Sequence, residues 1–572
     1  MSKVMFAFLM LALVVAAPAA ELVIAVSTEP PGLDPTTNSA GVIKLLLHHN
    51  LYENLVQVDE TGDLHGQIAS AWEISPDGLV YTFHLREGIR FHDGTPCDAD
   101  AVRQSFLRTM DPQTGHPHRE YFAGVDAIES PDGRTVRFQL RAPDASFLTV
   151  LALGDSVIVP PSLFSVEWSK FEGDLGSLPV GAHPAPVPDS LRMEFERQGF
   201  PLSADATISR TEEKEWWITD KDKTYKIRRD DATLNIYVPP GREDLAGNPV
   251  GTGPFRFEEW RPGYSLRLVR WSDYYLPALP VLEALTFRFI TDPAAQLAAL
   301  RAGDVDLVAE VVPEIAATLT QDPQLRVVSQ PQDLVQILAT NTARAPFSDL
   351  RVRQALAHAV DREQLISLVY YGFASPVGSH LAPSVPYYAD MTWVYPYDPA
   401  TARDLLAAAG YPHGFSATLT LPGNYPQHVR TGELLAAQLG EVGIRLELQI
   451  VDWGTWLDRV YGQADYDLTV VAQIGRLDPA PILRAYGPDR PDYYFRRGWS
   501  SPELDELLRR GIAVADPDER QRIYAAAQYI LAAEAVNVFL VAPHQILVQR
   551  AGVTGVKILP HYVLDFTAAA KG

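Results

Sequence analysis

The sequence has only one cysteine, Cys97, in 572 residues. A lone thiol cannot form an internal disulfide, which excludes a disulfide-stapled scaffold. Cys97 also lies far from Ala20, near which we predict that a leader is cleaved, so no cysteine is placed there to carry a lipid anchor. We therefore expect a chain that folds around hydrophobic cores alone and is not lipid-anchored.

Basic residues are also scarce, with 48 Lys and Arg against 71 Asp and Glu and a formal net charge of −23. Such an acidic surface repels phosphate backbones and anionic membranes. Nucleic acid is therefore not an expected partner.

Motifs of hydrolases are absent: there is no Gly-x-Ser-x-Gly and no His-Glu-x-x-His. Gly154-Asp-Ser156 is similar to the start of some serine esterases, but no histidine has the aspartate three residues before it that those enzymes use. The close histidine pairs, His48-His49 and His116-Pro-His118, lack a third nearby ligand, and adjacent helical residues point about 100° apart. We expect no enzyme activity, no cofactor and no metal.

One apolar run stands out, from Val4 to Ala17, preceded by Lys3 and followed by Pro18-Ala-Ala20. A basic start, an apolar stretch and small residues are typical of a secretory signal peptide, here residues 1–20. A membrane anchor is the alternative, but a span requires roughly 18 to 20 apolar residues. The mature chain is expected to be a periplasmic protein.

The rest of the chain predicts an α/β protein of two or more lobes. Asp-Gly turns at Asp77, Asp93 and Asp132 join alternating strands, so residues of about 55–165 are predicted to be a mostly antiparallel subdomain. A helix is expected from Val42 to Tyr52. In residues of about 165–248, the runs Trp216–Thr219, Tyr225–Ile227 and Leu234–Val238 indicate a small meander, which we interpret as a decorated surface loop rather than a ligand-covering element. From about residue 332, alternating helices and strands indicate a helix-covered, largely parallel sheet.

The most informative stretch is Leu468–Ala472, a β-branched run that predicts a buried strand ending at Gly475, Arg476 and Asp478. In open α/β domains, ligands gather at the carboxyl ends of strands. Trp453 and Trp456 follow an earlier apolar run. They could face a cleft, or share one helical face and pack in the core.

Ordered motifs resemble the family 5 extracellular solute-binding proteins, the peptide and oligopeptide receptors of ABC importers. The similarity covers nearly the whole mature chain apart from about 165–248. The motifs are Gly32-Leu-Asp-Pro35, Phe83-His-Leu-Arg-Glu-Gly88, Phe91-His-Asp-Gly-Thr95, Gly251-Thr-Gly-Pro-Phe255, Arg301-Ala-Gly-Asp-Val-Asp306, Pro346 to Leu356, Ala359-Val-Asp-Arg362, Tyr466-Asp467 and Ser501-Pro-Glu-Leu-Asp505.

The resemblance implies a two-lobed periplasmic binding protein of type II, in the large three-subdomain class, with a hinge between the lobes. Residues 21–331 plus 542–572 would form lobe I, and residues 332–541 would form lobe II. It also implies a monomer that delivers a small-molecule or peptide ligand to ABC permease subunits in the inner membrane.

The resemblance further implies a set of ligand-binding residues. A tryptophan at the position of Trp453 stacks on the ligand in peptide receptors, and Gln473 stands where an aromatic residue is common. The expected wall consists of Trp453, Ala472, Gln473, Ile474, Gly475 and Arg476 from lobe II, with Gly41 and Val42 from lobe I.

Arg476 departs from the family pattern, because peptide receptors carry there an aspartate that pairs with the ligand's free amino group. Arginine cannot accept hydrogen bonds from an ammonium and repels its charge. Asp478 could substitute after a loop shift.

The sequence therefore leaves the ligand open. A peptide is the leading expectation, and an oligosaccharide or anionic solute is the alternative. A secreted hydrolase and a periplasmic chaperone or sensor are the alternatives from other classes.

Overall fold

The computed structural model describes residues 20–163, 169–172, 185–197, 202–212, 215–220, 223–230, 233–237, 243–475, 477–488, 493–514 and 516–572. Within these ranges, no helix is both long and apolar enough to cross a membrane. The predicted signal peptide lies outside the described residues apart from Ala20.

Residues 20–163 contain one strand of the large sheet described below, a two-stranded antiparallel pair, three α-helices and a small four-stranded antiparallel sheet. The elements are β1 (Glu21–Val26), α1 (Gly41–Leu47), β2 (Val56–Val58), β3 (Leu64–Gly66), β4 (Ala69–Ile74), β5 (Val80–Leu85), α2 (Ala99–Met110), β6 (Val125–Asp132), β7 (Thr135–Leu140) and α3 (Phe147–Val150). The sheet has the order β4-β5-β7-β6 and every pairing is antiparallel, as the turn residues predict. Phe83, Phe106 and Phe138 pack in the core of this subdomain.

The predicted helix from Val42 to Tyr52 is too long. α1 ends at Leu47, and His49 then adopts a positive φ of 66°. A left-handed residue cannot continue a right-handed helix. The apolar pattern continues past the end because Leu51 and Tyr52 are buried in the same core as α1.

The segment after residue 165 is an antiparallel sheet in its described part. Its elements are β8 (Ser169–Glu172), β9 (Ala185–Pro186), α4 (Asp189–Arg197), β10 (Thr207–Glu212), β11 (Glu215–Asp220), β12 (Lys223–Asp230), β13 (Thr233–Tyr237) and α5 (Glu243–Gly247). The strand order is β8-β13-β12-β11-β10-β9. The predicted meander is confirmed where β11, β12 and β13 pair in succession. Leu191, Phe195, Ile208 and Trp216 belong to a separate small core, so β9–β11 and α4 pack on one another.

Residues 255–331 return to the sheet that contains β1. The elements are β14 (Phe255–Arg261), β15 (Ser265–Arg270), β16 (Ala284–Phe289), α6 (Pro293–Ala302), β17 (Leu307–Val308), α7 (Pro313–Leu319) and β18 (Leu325–Pro331). β1 lies between β16 and β17 and is parallel to both.

Residues 334–533 form the helix-rich half of the molecule. The elements are β19 (Leu334–Thr340), α8 (Leu350–His358), α9 (Arg362–Val369), β20 (Ala374–Pro376), α10 (Pro399–Ala408), β21 (Phe415–Pro422), α11 (Pro426–Glu441), β22 (Ile444–Val451), α12 (Trp453–Trp456), β23 (Leu468–Ile474), α13 (Pro479–Leu483), α14 (Pro502–Ala513) and α15 (Pro517–Ala533). β21 is parallel to β22 and β23, but β19 is antiparallel to β23. The sheet is therefore mixed, and the prediction of a largely parallel sheet is wrong.

The C-terminal segment returns to the first half. It consists of β24 (Asn537–Arg550), β25 (Val553–Thr554), β26 (Lys557–Leu559), β27 (Val563–Asp565) and β28 (Ala570–Lys571). Residues 537–541 of β24 pair with β19, and residues 544–550 pair with β18. One long strand thus joins two halves of a twelve-stranded sheet, β14-β15-β16-β1-β17-β24-β19-β23-β21-β22 with β18 and β20 also on β24.

The chain crosses between the halves at Gln332 and Asp333, between β18 and β19, and again within β24. Two neighbouring crossings of extended chain are a natural place for one half to rotate against the other. This places the predicted cleft beside Asp333.

Candidate functional site

The central feature of the site is the carboxyl end of β23. Leu468 and Val470 point into the core under α8–α11, and Val471 points into the core under α13–α15. The strand is thus buried on both faces, as its β-branched composition predicts. β23 ends at Ile474, and Gly475 follows it.

Gly475 lies directly against the crossing segment. Its backbone N–H donates to the carbonyl oxygen of Asp333. A Cβ at Gly475 would lie 2.9 Å from that oxygen, so only glycine permits this approach. The end of β23 is therefore attached to the crossing itself, and a ligand held at Gly475 would act on the hinge.

Gln473 and Ala472, two and three residues before Gly475 in the predicted wall, are half-buried. The Gln473 amide Nε2 donates to the Tyr494 hydroxyl at 2.5 Å. Burial raises the pKa of Tyr494 well above its ordinary value, so this hydroxyl stays protonated. The contact holds the Gln473 amide in one orientation and leaves its carbonyl oxygen as a possible acceptor.

Trp453 and Trp456 have different surroundings. Trp456 is 1% exposed, and its indole N–H donates to Thr469 Oγ1 at 3.0 Å, so it belongs to the core. Trp453 is only partly buried and stacks on Trp456 with ring centroids 4.9 Å apart and planes 4° apart. The Tyr425 ring meets Trp453 edge-on at 5.3 Å. One indole thus supports the other as a flat apolar surface.

Asp478 cannot serve as the substitute amino anchor that the sequence allows. Its side chain is 1% exposed and forms an ion pair with Arg520 at 3.0 Å. The carboxylate also accepts from the Ala480 N–H at 2.8 Å and caps α13. Burial raises the pKa of Asp478, and Arg520 opposes that shift. These contacts make Asp478 part of the framework.

A hollow of about 10 Å³ lies between the end of β23 and residues 380–385. A cavity of this volume has room for about one water molecule. Apolar side chains dominate its lining, and burial lowers the pKa of His380 to about 3, which keeps that ring neutral. The lining is Asp333, Val335, His380, Leu381, Ala382, Val385, Gln473, Gly475, Asp478 and Ile482.

The remaining predicted residues are placed as follows. Arg476 lies outside the described residues, as does the side chain of Ile474. Gly41 is exposed at the start of α1, with open space where a Cβ would be, and Val42 is partly buried against the first core. Their roles in ligand binding stay predictions.

Sequence reasoning missed a buried contact on the other side of the crossing. His561 Nδ1 lies 2.5 Å from Asp333 Oδ2, although 228 residues separate the two positions. His561 and Tyr562 form the tip of the β26–β27 hairpin with positive φ values of 73° and 65°. Strained residues of this kind cluster at functional sites. No local sequence pattern indicates the contact.

The two halves meet around this site. Leu477 packs in the core of the first subdomain, and the Ala145 N–H donates to the Ile512 carbonyl at 2.8 Å. Arg430 on α11 pairs with Glu314 on α7 at 2.8 Å. The end of β23 is therefore enclosed between the halves.

Comparison with known proteins places this geometry in a family. Residues 63–492 match the bacterial extracellular solute-binding proteins, family 5 Middle. The chain is similar to the glutathione-binding protein GsiB of Escherichia coli O1:K1, with 27% identity over 559 residues, 96% of this chain and 94% of that protein.

Solved structures share the fold. The periplasmic binding protein DppA from Helicobacter pylori, in complex with the peptide STSA, has a TM-score of 0.65 and 24% identity and covers 96% of this chain and 98% of its own. NikA from Brucella suis, in complex with Fe(III)-EDTA, has a TM-score of 0.72 and 22% identity and covers 97% and 100%. The fold is the two-lobed one that the sequence motifs imply.

Proposed function

The chain belongs to the family 5 bacterial extracellular solute-binding proteins, and we propose that it is the receptor of an ABC importer that captures a peptide between its two lobes. Closure would carry the peptide to permease subunits in the inner membrane. The role is binding and transfer, without covalent chemistry.

The observation that carries this proposal is the placement of the β23 end against the crossing segment. Gly475 bonds to Asp333, and Asp333 contacts His561 on the C-terminal hairpin. Groups from the crossing, from lobe II and from the returning segment therefore meet at one point. Such an arrangement couples occupancy of the wall to rotation of the lobes.

The wall chemistry suits a peptide. The indole of Trp453 offers an apolar face, and Gln473 and the backbone of Gly475 offer hydrogen-bonding groups. Apolar surface with a few fixed polar groups is the usual composition of such sites. The glutathione-binding relatives support a short peptide as ligand class. A polar, anionic solute is the second candidate, favoured by the predicted placement of Arg476 at the wall.

The signal-peptide pattern of residues 1–20 supports a periplasmic receptor, and the distance of Cys97 from that segment supports one without a lipid anchor. The proposed wall consists of Trp453, Ala472, Gln473, Ile474, Gly475 and Arg476, faced by Gly41 and Val42. The proposed lobe boundaries are 21–331 with 542–572, and 332–541.

The test uses the chain purified from residue 21, and native mass spectrometry identifies the small molecules that co-purify with it. The protein is then unfolded to release bound ligand, refolded, and titrated calorimetrically with glutathione and with di- to tetrapeptides. We expect one peptide per chain, released unchanged. Hydrolysis of the bound peptide, or binding of no peptide in the panel, would overturn the proposal.

A further inference from the structure

A buried lysine on α1 has one distant charged partner in the described part of the chain. Lys44 is 7% exposed, and its only charged contact within the described residues is Asp155, with Nζ and Oδ2 3.9 Å apart. That distance is too long for a hydrogen bond. None of the hydrogen bonds in the described part of the chain involves this ammonium, which has three protons to donate.

The carboxylate of Asp155 also lacks hydrogen-bond partners among the described residues. It is 1% exposed, and within the described residues no protein group donates to either carboxylate oxygen. Burial alone would raise the pKa of Asp155, but the positive charge of Lys44 and the neighbouring histidines lower it, so the carboxylate stays ionised. An ionised pair buried at 3.9 Å recovers little of its desolvation cost. As a purely structural ion pair, Lys44 and Asp155 therefore lack the hydrogen bonds that would offset the cost of burying them.

The helix that carries Lys44 packs against the C-terminal hairpin. α1 contacts β27, which begins two residues after His561, and His118 Nε2 lies 3.8 Å from Asp155. His561 contacts Asp333, which accepts from Gly475 at the end of β23. Packed elements therefore connect the proposed wall to the helix that carries Lys44.

The backbone around Lys44 holds the side chain in place. A Cβ at Gly154 would lie 3.1 Å from Lys44 Cγ and 3.0 Å from His48 Nδ1, so glycine is needed for the loop to pack on α1. The lysine stem is fixed while its charged end lacks a hydrogen-bonding partner. That combination is expected of a group organised for an incoming anion.

Resting on the proposed role as a peptide receptor, we propose that Lys44 binds a carboxylate of the captured peptide, with Asp155 holding the lysine ammonium in position. The carboxylate is either the peptide's terminal group or an acidic side chain. Lys44 is a positioning and recognition group for one end of the ligand, on the lobe opposite Trp453.

The test uses three peptide pools on the whole mature chain: peptides without acidic side chains and with a free terminal carboxyl, the same peptides amidated, and amidated peptides that carry one glutamate. Retention is measured by mass spectrometry and affinity by calorimetry. We expect wild type to bind the first or the third pool and to reject the second.

Lys44→Met should reduce affinity for the accepted pool roughly 10- to 150-fold, the loss of one charge-assisted hydrogen bond. Lys44→Arg should retain most of it. Lys571→Met is the matched control, because Lys571 also pairs with an aspartate, Asp306, and neither residue belongs to the proposed wall. The double variant Lys44→Met/Asp155→Asn removes both buried charges and serves if the single variant misfolds.

Two outcomes overturn this inference alone: equal binding of all three pools by wild type, or an unchanged preference in a folded variant without Lys44. Binding of none of the pools by wild type would overturn the peptide-receptor role as well as the inference that rests on it. A lower melting temperature with unchanged affinity would assign Lys44 a purely structural role.

Discussion

Replacement of Asp478 by asparagine tests whether this residue stabilises the fold or binds the ligand. The carboxylate accepts from Arg520 at 3.0 and 3.3 Å and from the Ala480 N–H at 2.8 Å. Asparagine keeps the cap acceptor but removes the negative charge. Arg520, 3% exposed, would then be a buried cation without its counter-ion.

Breaking a buried pair by removing one partner costs about 3–5 kcal/mol, and we expect that loss in the unfolding free energy of the second lobe. Denaturant unfolding followed by tryptophan fluorescence measures it, and calorimetry measures peptide affinity, which should stay within about threefold.

Asp349→Asn is the matched control, since Asp349 also caps a helix and pairs with an arginine, Arg351, but at the surface. An exposed pair contributes about 0–1 kcal/mol, so this variant should change little. An Asp478→Asn protein with wild-type stability and more than tenfold weaker peptide binding would refute the framework assignment.

Three further predictions concern the core and the wall. Burial raises the pKa of Glu53 to about 7, so between pH 4.5 and 7 the folded state keeps a proton that the unfolded chain has lost. The free energy of unfolding should therefore fall by about 3 kcal/mol from pH 4.5 to pH 7. Glu53→Gln should flatten this dependence when unfolding is measured as a function of pH. Trp453→Ala should weaken peptide binding about tenfold by calorimetry, whereas Trp393→Ala, which removes an exposed tryptophan outside the predicted wall, should leave binding unchanged. Gly475→Ala should lower both affinity and melting temperature because its Cβ meets a backbone carbonyl, whereas Gly440→Ala, with open space on its helix, should raise helix stability by up to about 1 kcal/mol.

Local patterns predict the elements whose partners lie nearby in the sequence. The β-branched run at 468–472 identifies β23, and the Asp-Gly turns identify the antiparallel subdomain. Both depend on turn chemistry and burial that a short window contains.

Long-range pairings are not visible in such windows. β24 inserts between β17 and β19 from the C-terminal part of the chain and is antiparallel to both, which makes the sheet mixed. The alternation of helices and strands gives no information about this insertion. The Asp333–His561 contact is hidden for the same reason, because it joins positions 228 residues apart.

The candidate site shows the same division. The prediction that Trp453 stacks on a ligand comes from the family resemblance. The ion pair between Asp478 and Arg520, in contrast, depends on a helix that begins 39 residues later, at Pro517. A carboxylate in a loop has the same sequence signature whether it faces a ligand or a buried arginine. Only the packing of α15 against the loop after β23 decides between the two roles.

These assignments change which end of a peptide the receptor is built to recognise. Asp478 is a carboxylate that lines the hollow, and it is engaged by Arg520. It is therefore not available to a ligand ammonium without breaking a buried contact, which costs several kcal/mol. Lys44, in contrast, can bind an anion without losing any hydrogen bond. This difference between Asp478 and Lys44 supports the proposal that the carboxylate end is recognised.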